Sequence, residues 1–297
     1  MSSGAAPLQV APGGAASGGV IHDIGYQRYT GPRLGRGYAT RSLYLHGLRT
    51  AFGLGRSAKA KIFPWATAGL VVLVATVLTA IRAQAERPVM SYADFPTAVA
   101  LLTTLFCAAA APELVSRDLR GGVLPLYFSR PLRRSDYALA KLAALATAVW
   151  LTLAGPLLLM FVGGVFSVHG AGAVWDEFLD FLPGLAQAAI YAAVYASLAL
   201  LVASLAGRRA VAAALIVAVF VVTTPIVGVI SVVGGPDAQR LAFLASPTTL
   251  VQGVGSWLFD AAGDHVGPYG PVYGATAVAL VAACVLLLLA RYRRVAR

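Results

Sequence analysis

The sequence contains few acidic residues, few histidines and only two cysteines. It has 12 Asp and Glu against 23 Lys and Arg, and Cys107 and Cys284 lie far apart in 297 residues. This pattern indicates neither a disulfide framework nor a Cys-x-x-Cys or His/Cys metal site. The Gly-x-x-x-x-Gly-Lys-Ser/Thr phosphate loop is also missing. We therefore predict no metal ion, no cofactor and no catalytic residue in this chain.

Charge is also absent from six long apolar stretches, which contain no Asp, Glu, Lys or Arg. An α-helix rises about 1.5 Å per residue, so roughly 20 apolar residues cross a hydrocarbon core of about 30 Å. The stretches have about this length, which predicts an all-α protein with six transmembrane helices. They are Ile62–Ile81, Phe95–Ala111, Leu142–Phe166, Pro183–Ala206, Ala210–Val233 and Pro271–Ala290.

The basic residues fall almost entirely on one side of this arrangement. When the connections are assigned alternately to the two sides, 20 Lys and Arg lie on one side and three lie on the other. Positive charge marks the cytoplasmic side. We therefore predict a multi-pass membrane protein with both termini in the cytoplasm. The same rule explains the net charge of +11, so nucleic acid is not expected as a partner.

An uncharged stretch at Leu241–Phe259 could be taken for a seventh span. It is rich in helix breakers and polar groups, beginning with Ser246-Pro247-Thr248-Thr249. If it crossed the membrane, the basic tail after Ala290 would lie outside, against the charge rule. We predict a re-entrant or interfacial segment on the outer face, before the last helix.

The remaining sequence divides into three regions. Residues 1–25 are mostly Gly, Ala, Ser and Pro, and they cannot bury enough apolar surface to fold, so a disordered cytoplasmic tail is expected there. Residues 26–61 form a basic cytoplasmic segment, and residues 62–297 form the six-helix transmembrane domain.

The basic segment contains a predicted amphipathic helix at Tyr38–Ser57. Its apolar residues fall within an arc of about 120° at 100° per residue, and Arg side chains flank or enter that arc. A helix of this kind lies in the inner interface and extends its Arg side chains to phosphate groups. It either anchors the chain to membrane lipid or also docks a cytoplasmic partner. The residues concerned include Arg41, Leu45, Leu48, Arg49, Phe52 and Arg56.

The loop Pro112–Lys141 is the densest polar stretch of the chain. Glu113 and Arg117 are four residues apart, which favours a helical ion pair. Gly121-Gly122 ends that short helix, and Ser135 or Asp136 could cap the third span. A simple connector needs only a few residues. Thirty structured residues therefore indicate a contact surface, although the charges could serve only as positive-inside determinants.

The predicted spans contain no ionisable residue that could bind or relay an ion. Ion-coupled transporters and channels usually carry such residues, so ion coupling is not expected. No paired carboxylates or Ser/His arrangement indicates an intramembrane enzyme. If this chain moves a substrate uphill, another polypeptide must supply the energy.

One polar stripe lies on the fourth span, where Gln187, Tyr191 and Tyr195 are each four residues apart. A stripe of small residues, Ala188, Ala192 and Ala196, runs beside it. The polar stripe either lines a substrate path or makes hydrogen bonds between helices, and the small residues favour close packing.

A motif in the long loop carries a resemblance to a known family. It has an acidic residue, a Gly turn with Leu, a Pro-Leu-x-Arg turn and a Lys before the third span. Its residues are Glu113, Arg120-Gly121-Gly122, Ser129-Arg130-Pro131-Leu132, Arg134, Tyr137 and Lys141. Together with the pre-span helix, six spans and outer segment, the chain resembles the permease subunits of ATP-binding-cassette exporters of the second type. Tyr29–Gly35 is similar to a leader found in some bacterial members.

The resemblance covers roughly residues 26–297 and implies a homodimer that recruits two separate ATPase subunits. ATP and Mg would then bind to the partner, and the location would be the bacterial inner membrane. The loop after the second span would be the coupling helix that contacts the ATPase. This implies a role in coupling for Glu113, Arg117, Asp118, Arg120, Gly121, Gly122, Arg130, Pro131 and Arg134.

The sequence leaves a second function open, a membrane scaffold or sensor that docks an ATPase-like partner and moves no substrate. Family substrates range from drugs to lipids and polysaccharides, so the resemblance does not identify the substrate. An amphiphilic or apolar substrate fits spans without charge. The choice between a homodimer and a heterodimer, and any accessory subunit, also stays open.

Overall fold

All the regular structure in the described part of the chain is helical, as the sequence predicts. The computed structural model describes residue 31 and residues 34–55, 58–85, 89–116, 118, 121, 127, 132–260 and 266–294. The principal helices are α1 (Arg36–Ala51), α2 (Ala58–Ala85), α3 (Phe95–Ala98), α4 (Ala100–Leu114), α5 (Arg134–Ser167), α6 (Ala171–Leu205), α7 (Arg209–Val221), α8 (Thr224–Val233), α9 (Pro236–Leu241), α10 (Pro247–Phe259) and α11 (Gly270–Arg294).

Five helical regions in the described residues are long and apolar enough to cross a membrane. They are Ala60–Ala85, Arg134–Ser167, Ala171–Leu205, Arg209–Val233 and Gly267–Arg294. They correspond to the first, third, fourth, fifth and sixth predicted spans. The protein is therefore a multi-pass membrane protein.

The second predicted span, Phe95–Ala111, is divided between α3 and α4. Val99 separates the two helices with φ −103° and ψ 16°, outside the regular α-helical range. α4 alone has 15 residues, or about 22 Å, which is shorter than the hydrocarbon core. The structure therefore differs from the prediction of one span-length helix at this position.

α5 and α6 extend well beyond the stretches that the sequence indicated. α5 begins at Arg134 rather than Leu142, and α6 begins at Ala171 rather than Pro183. The backbone N–H of Arg133 donates to the Asp136 carboxylate at 3.1 Å, so Asp136 caps α5 from its third position. Gly170 adopts φ +94° in the turn between α5 and α6, a conformation that glycine adopts without strain.

The core lies around α5 and α6, and the other long helices surround it. Other parts of the chain bury 61% of the most apolar stretch of α6, but only 17% of the most apolar stretch of α7–α8. Val232 and Val233 of α8 are both at least 80% exposed, and several valines and leucines of α2 and α11 are also exposed. These surfaces need lipid or another protein chain to cover them.

The fifth predicted span breaks between α7 and α8. α7 ends at Val221 and α8 starts at Thr224, with Pro225 in its first turn. Pro225 lacks a backbone N–H, so the helical hydrogen bonds cannot run through this position. The fifth predicted span is therefore two shorter helices in the structure.

Candidate functional site

Polar side chains from four helices meet at one end of the bundle. We call this the basic end, because Lys141, Arg209 and Arg291 lie there. Glu113 occupies the last turn of α4 and is 9% exposed. Its carboxylate forms an ion pair with Arg209, the first residue of α7. The pair joins the helix that precedes the long loop to the start of the fifth predicted span.

Asp118, from the predicted coupling loop, is bound to the start of α5. Its carboxylate accepts a hydrogen bond from the Tyr137 hydroxyl at 2.7 Å and lies 2.9 Å from the Lys141 ammonium. Lys141 is 2% exposed, so it depends on this partner in place of water. The Tyr137 ring also packs against Tyr292 of α11, with ring centroids 5.2 Å apart. The loop is therefore attached to α5 at the point where α5 packs against α11.

The C-terminal carbonyl groups of α6 take part in the same cluster. The last four carbonyls of a helix have no partner within it. Here the Ser116 hydroxyl donates to the Ala203 carbonyl at 2.9 Å, and Arg291 donates to the Ser204 carbonyl at 2.7 Å. These bonds connect the end of α6 to the loop after α4 and to α11.

The structure describes four of the nine predicted coupling residues. Glu113 and Asp118 belong to the cluster, and Arg134 donates to the Arg293 carbonyl at 2.8 Å. Gly121 lies in an exposed turn. The remaining five, Arg117, Arg120, Gly122, Arg130 and Pro131, lie outside the described residues, as does the predicted pairing of Glu113 with Arg117.

Sequence reasoning missed Arg209 and Lys141 as partners. In the sequence, Arg209 only adds to the positive charge predicted for the cytoplasmic side, and Lys141 is part of the loop motif. The sequence does show two carboxylates, Glu113 at the end of the second predicted span and Asp118 in the loop after it. Each needs a cation nearby once it is buried. The sequence does not indicate which cation comes close, because the partners come from different helices.

α1 packs against the bundle with a face that overlaps the predicted apolar arc only at its edge. Leu43, Gly47, Thr50 and Ala51 are buried, whereas Leu45 is 40% exposed. A Cβ atom on Gly47 would lie 2.9 Å from the Cβ of Ala144, so helix contact here depends on glycine.

Further contacts fix the position of α1, which the structure ends at Ala51 rather than at Ser57. Arg36 forms a bidentate pair with Asp136, with both N–O distances 2.6 Å, and this hydrogen bonding raises the pKa of Arg36. Tyr44 donates to Thr147 at 3.1 Å. Of the six predicted interfacial residues, Arg41 and Arg49 are exposed, Leu48 and Phe52 are partly buried, and Arg56 lies outside the described residues.

A cavity of about 750 Å³ lies beside the Glu113–Arg209 pair. Its walls come from the end of α1, the start of α2, and α4 and α7, and most of the lining atoms are apolar. Phe63, Leu105 and Val217 are among the larger lining side chains. The size and lining suit an apolar or amphiphilic molecule, with the ion pair as the polar group.

The polar stripe on α6 is buried and hydrogen-bonded to other helices. Gln187 donates to the Val251 carbonyl of α10 at 2.9 Å, and Tyr195 lies 3.0 Å from the Thr248 hydroxyl of the same helix. The Tyr191 hydroxyl lies 2.8 Å from Thr97 of α3. These contacts have the geometry of the helix-packing interpretation, and the role in a substrate path stays a prediction.

A second buried ion pair lies at the opposite end of the bundle. Arg82 at the end of α2 binds both Glu177 oxygens of α6, with N–O distances of 2.7 and 2.6 Å. Tyr92 also donates to Glu177, and burial is the main cause that raises the pKa of its phenol. Sequence reasoning missed this group because Glu177 lies outside the six apolar stretches.

Comparison with known proteins identifies the family of this chain. No curated protein sequence matches the chain. Residues 39–295 match the family described as ABC-2 family transporter protein. This confirms the resemblance found in the sequence, and the match includes every long helix. The chain belongs to the ABC-2 transporter family and is a transmembrane permease component of an ABC transporter, a family whose members pair with an ABC ATPase subunit.

Proposed function

We propose that this chain is the transmembrane subunit of an ATP-driven exporter, with a substrate that is amphiphilic or largely apolar. The chain itself carries no catalytic site, and two copies of a separate ATPase supply the energy. The observation that carries this proposal is the cluster at the basic end. It attaches the loop after α4 to α5 and α6, and it joins α4 to α7 and α5 to α11, so a force applied to that loop by an ATPase reaches most of the bundle.

The proposal is tested by purifying the chain together with the ATPase encoded beside it. Inside-out vesicles containing the complex should accumulate lipophilic dyes when ATP is added, and the dyes should stimulate ATP hydrolysis. A Walker-lysine variant of the ATPase serves as the inactive control. A complex that assembles but shows neither activity with any of a broad panel of amphiphiles would support the scaffold function instead.

The proposal includes six spans, a re-entrant outer segment and both termini in the cytoplasm of a bacterial cell. α3 and α4 together run from Phe95 to Leu114, which is 20 residues and about 30 Å, enough for one crossing. α9 and α10 then form the outer segment before α11. The basic end faces the cytoplasm, and the Arg82–Glu177 pair lies on the outer side.

Cysteine labelling tests this orientation. Both native cysteines are buried, so background labelling should be low. A cysteine at Ser167 should react with an impermeant thiol reagent in intact cells, because the end of α5 is assigned to the outside. A cysteine at Gly207, between α6 and α7, should react only after the cells are opened. Labelling of the Gly207 variant in intact cells would contradict the orientation.

We also propose that two copies associate through the thinly packed side formed by α2 and α7. The cavity of about 750 Å³ lies on this side, where a second copy would enclose it. Among the five span-length helical regions, α7–α8 has the smallest buried share of its most apolar stretch, so its surface is available for a partner. In this arrangement the cavity is one half of a substrate site.

The role of the α6 stripe is tested by two double variants. Replacing Tyr191 and Tyr195 with Phe removes both hydroxyl groups and keeps the rings, so a packing role predicts only a modest loss of about 1 kcal/mol per hydrogen bond. A role in the substrate path predicts an altered substrate range at normal thermal stability. Replacing Ala192 and Ala196 with Leu should lower stability in either case, because buried alanines permit close helix contact.

A further inference from the structure

A groove between α1 and α5 lies apart from the cavity and from the coupling cluster. Its volume is about 630 Å³. α1 contributes Arg36, Gly37, Thr40, Arg41 and Tyr44. α5 contributes the remaining wall, formed by Asp136, Leu139, Ala140 and Ala143. One side of the groove is therefore basic and polar, and the other is mostly apolar.

The charges of the groove favour an anion. Two guanidinium groups and one carboxylate line it, which leaves one positive charge in excess. Arg36 is held by both oxygens of Asp136, so its charge is matched inside the protein. Arg41 is exposed and has no ion pair with any residue that the structure describes. Arg41 is therefore the group available to an external anion.

The depth of the groove matches the polar boundary of a bilayer. Asp136 and Ala143 are seven residues apart on α5, which is about 10 Å along the helix. Lys141 is the last charged residue before the apolar part of α5. The groove thus extends from the charged part of α5 to its apolar part. Leu139 is 45% exposed there, so an apolar chain could cover it.

We propose that this groove binds one anionic phospholipid of the inner leaflet. The lipid phosphate contacts Arg41, with Thr40 beside it, and the first part of an acyl chain lies along Leu139 and Ala143. Basic pockets on the cytoplasmic side of membrane proteins bind anionic headgroups in this way. The inference rests on the proposed orientation, in which the basic end faces the cytoplasm.

Native mass spectrometry of the purified full-length protein tests the site. The probe is phosphatidylglycerol, with phosphatidylcholine as the zwitterionic comparison and glycerol phosphate as the free headgroup. Wild-type protein should retain one phosphatidylglycerol in preference to phosphatidylcholine. Arg41→Gln should weaken this binding about fivefold, which corresponds to the ~1 kcal/mol that one basic side chain contributes near an anionic surface.

Arg208→Gln is the control, because Arg208 is also an exposed arginine, at the start of α7, but does not line the groove. It should change lipid binding less than twofold. Leu139→Gln should weaken lipid binding, and glycerol phosphate should not compete with the lipid in this variant. Equal retention by wild type and the Arg41 variant would overturn the proposal. Competition by glycerol phosphate at the same concentration as the lipid would also overturn it, because this would indicate a site for the anion alone.

The same variants distinguish this site from a protein-docking surface. If Arg41→Gln lowers co-purification of the ATPase while phosphatidylglycerol binding is unchanged, the groove contacts the ATPase and the lipid assignment is wrong. Lipid retention is measured without ATP, ATPase or transported substrate. The lipid-binding result therefore does not depend on whether the exporter function is correct.

Discussion

Reversing the charge of either Glu113 or Arg209 is expected to uncouple ATP hydrolysis from transport, and combining the two reversals is expected to restore coupling. The two side chains form an ion pair between the end of α4 and the start of α7, beside the cavity. Glu113→Arg places two guanidinium groups together, and Arg209→Glu places two carboxylates together. Each single change therefore pushes α7 away from the end of α4, which leads into the loop that we propose contacts the ATPase.

The magnitude follows from the exposure of the pair. Glu113 is buried, but the Arg209 side chain is 53% exposed, so water screens part of the interaction. We expect each single reversal to cost about 1–3 kcal/mol, below the value for a fully buried pair. A cost in this range shifts the equilibrium between paired and separated helices by roughly 5- to 150-fold, since 1.4 kcal/mol corresponds to a factor of ten, so transport per ATP hydrolysed should fall at least severalfold.

The measurement compares transport per ATP hydrolysed in reconstituted vesicles for both single variants and the Glu113→Arg/Arg209→Glu double variant. Arg208→Glu is the control, because Arg208 is an exposed neighbour that caps α7. It makes the same change of net charge as Arg209→Glu without entering the pair. If the double variant is as impaired as the single variants, the two residues do not act as a pair.

Replacing Glu177 with Gln is expected to give the largest loss of stability. The change leaves Arg82 buried beside a neutral amide, and both side chains are no more than 15% exposed in the native protein. Breaking a buried pair by removing one charge typically costs about 3–5 kcal/mol. Tyr92 also loses a charged acceptor, so the connection between the segment before α3 and the adjoining ends of α2 and α6 is weakened.

Thermal unfolding in detergent measures this effect. The double variant Arg82→Met/Glu177→Leu should recover most of the stability, because a well-packed apolar pair avoids the unpaired charge. Asp180→Asn, on an exposed position of the same helix, should unfold at nearly the wild-type temperature. A Glu177→Gln variant as stable as wild type would show that the pair contributes little to the fold.

The predicted amphipathic helix shows what a local pattern leaves open. α1 forms close to its predicted position, and Leu43, Gly47, Thr50 and Ala51 make up its buried face. Small residues allow close contact between helices. The periodicity of the large apolar residues does not indicate this packing face. The exposed arc with Leu45 stays available to membrane lipid.

The second predicted span illustrates a similar limit. Its apolar composition correctly predicts helical structure, but it does not indicate the break at Val99 or the packing of α3 against α6. The Tyr191–Thr97 contact holds α3 in place across 94 residues of sequence. A hydropathy pattern has no information about such a partner, because it averages over neighbours along the chain.

The sequence by itself determined that the chain is helical, that it lies in a membrane and that its basic residues collect at one end. Long uncharged apolar runs must satisfy their backbone hydrogen bonds internally, which leaves helices as the solution. Only the tertiary structure decided which charges meet. Two pairs, Glu113 with Arg209 and Arg82 with Glu177, join separate helices, and Asp118 with Lys141 joins the loop to α5. Such pairs form because burial makes an unpaired charge costly, and the partner is whichever cation the helix packing brings within reach.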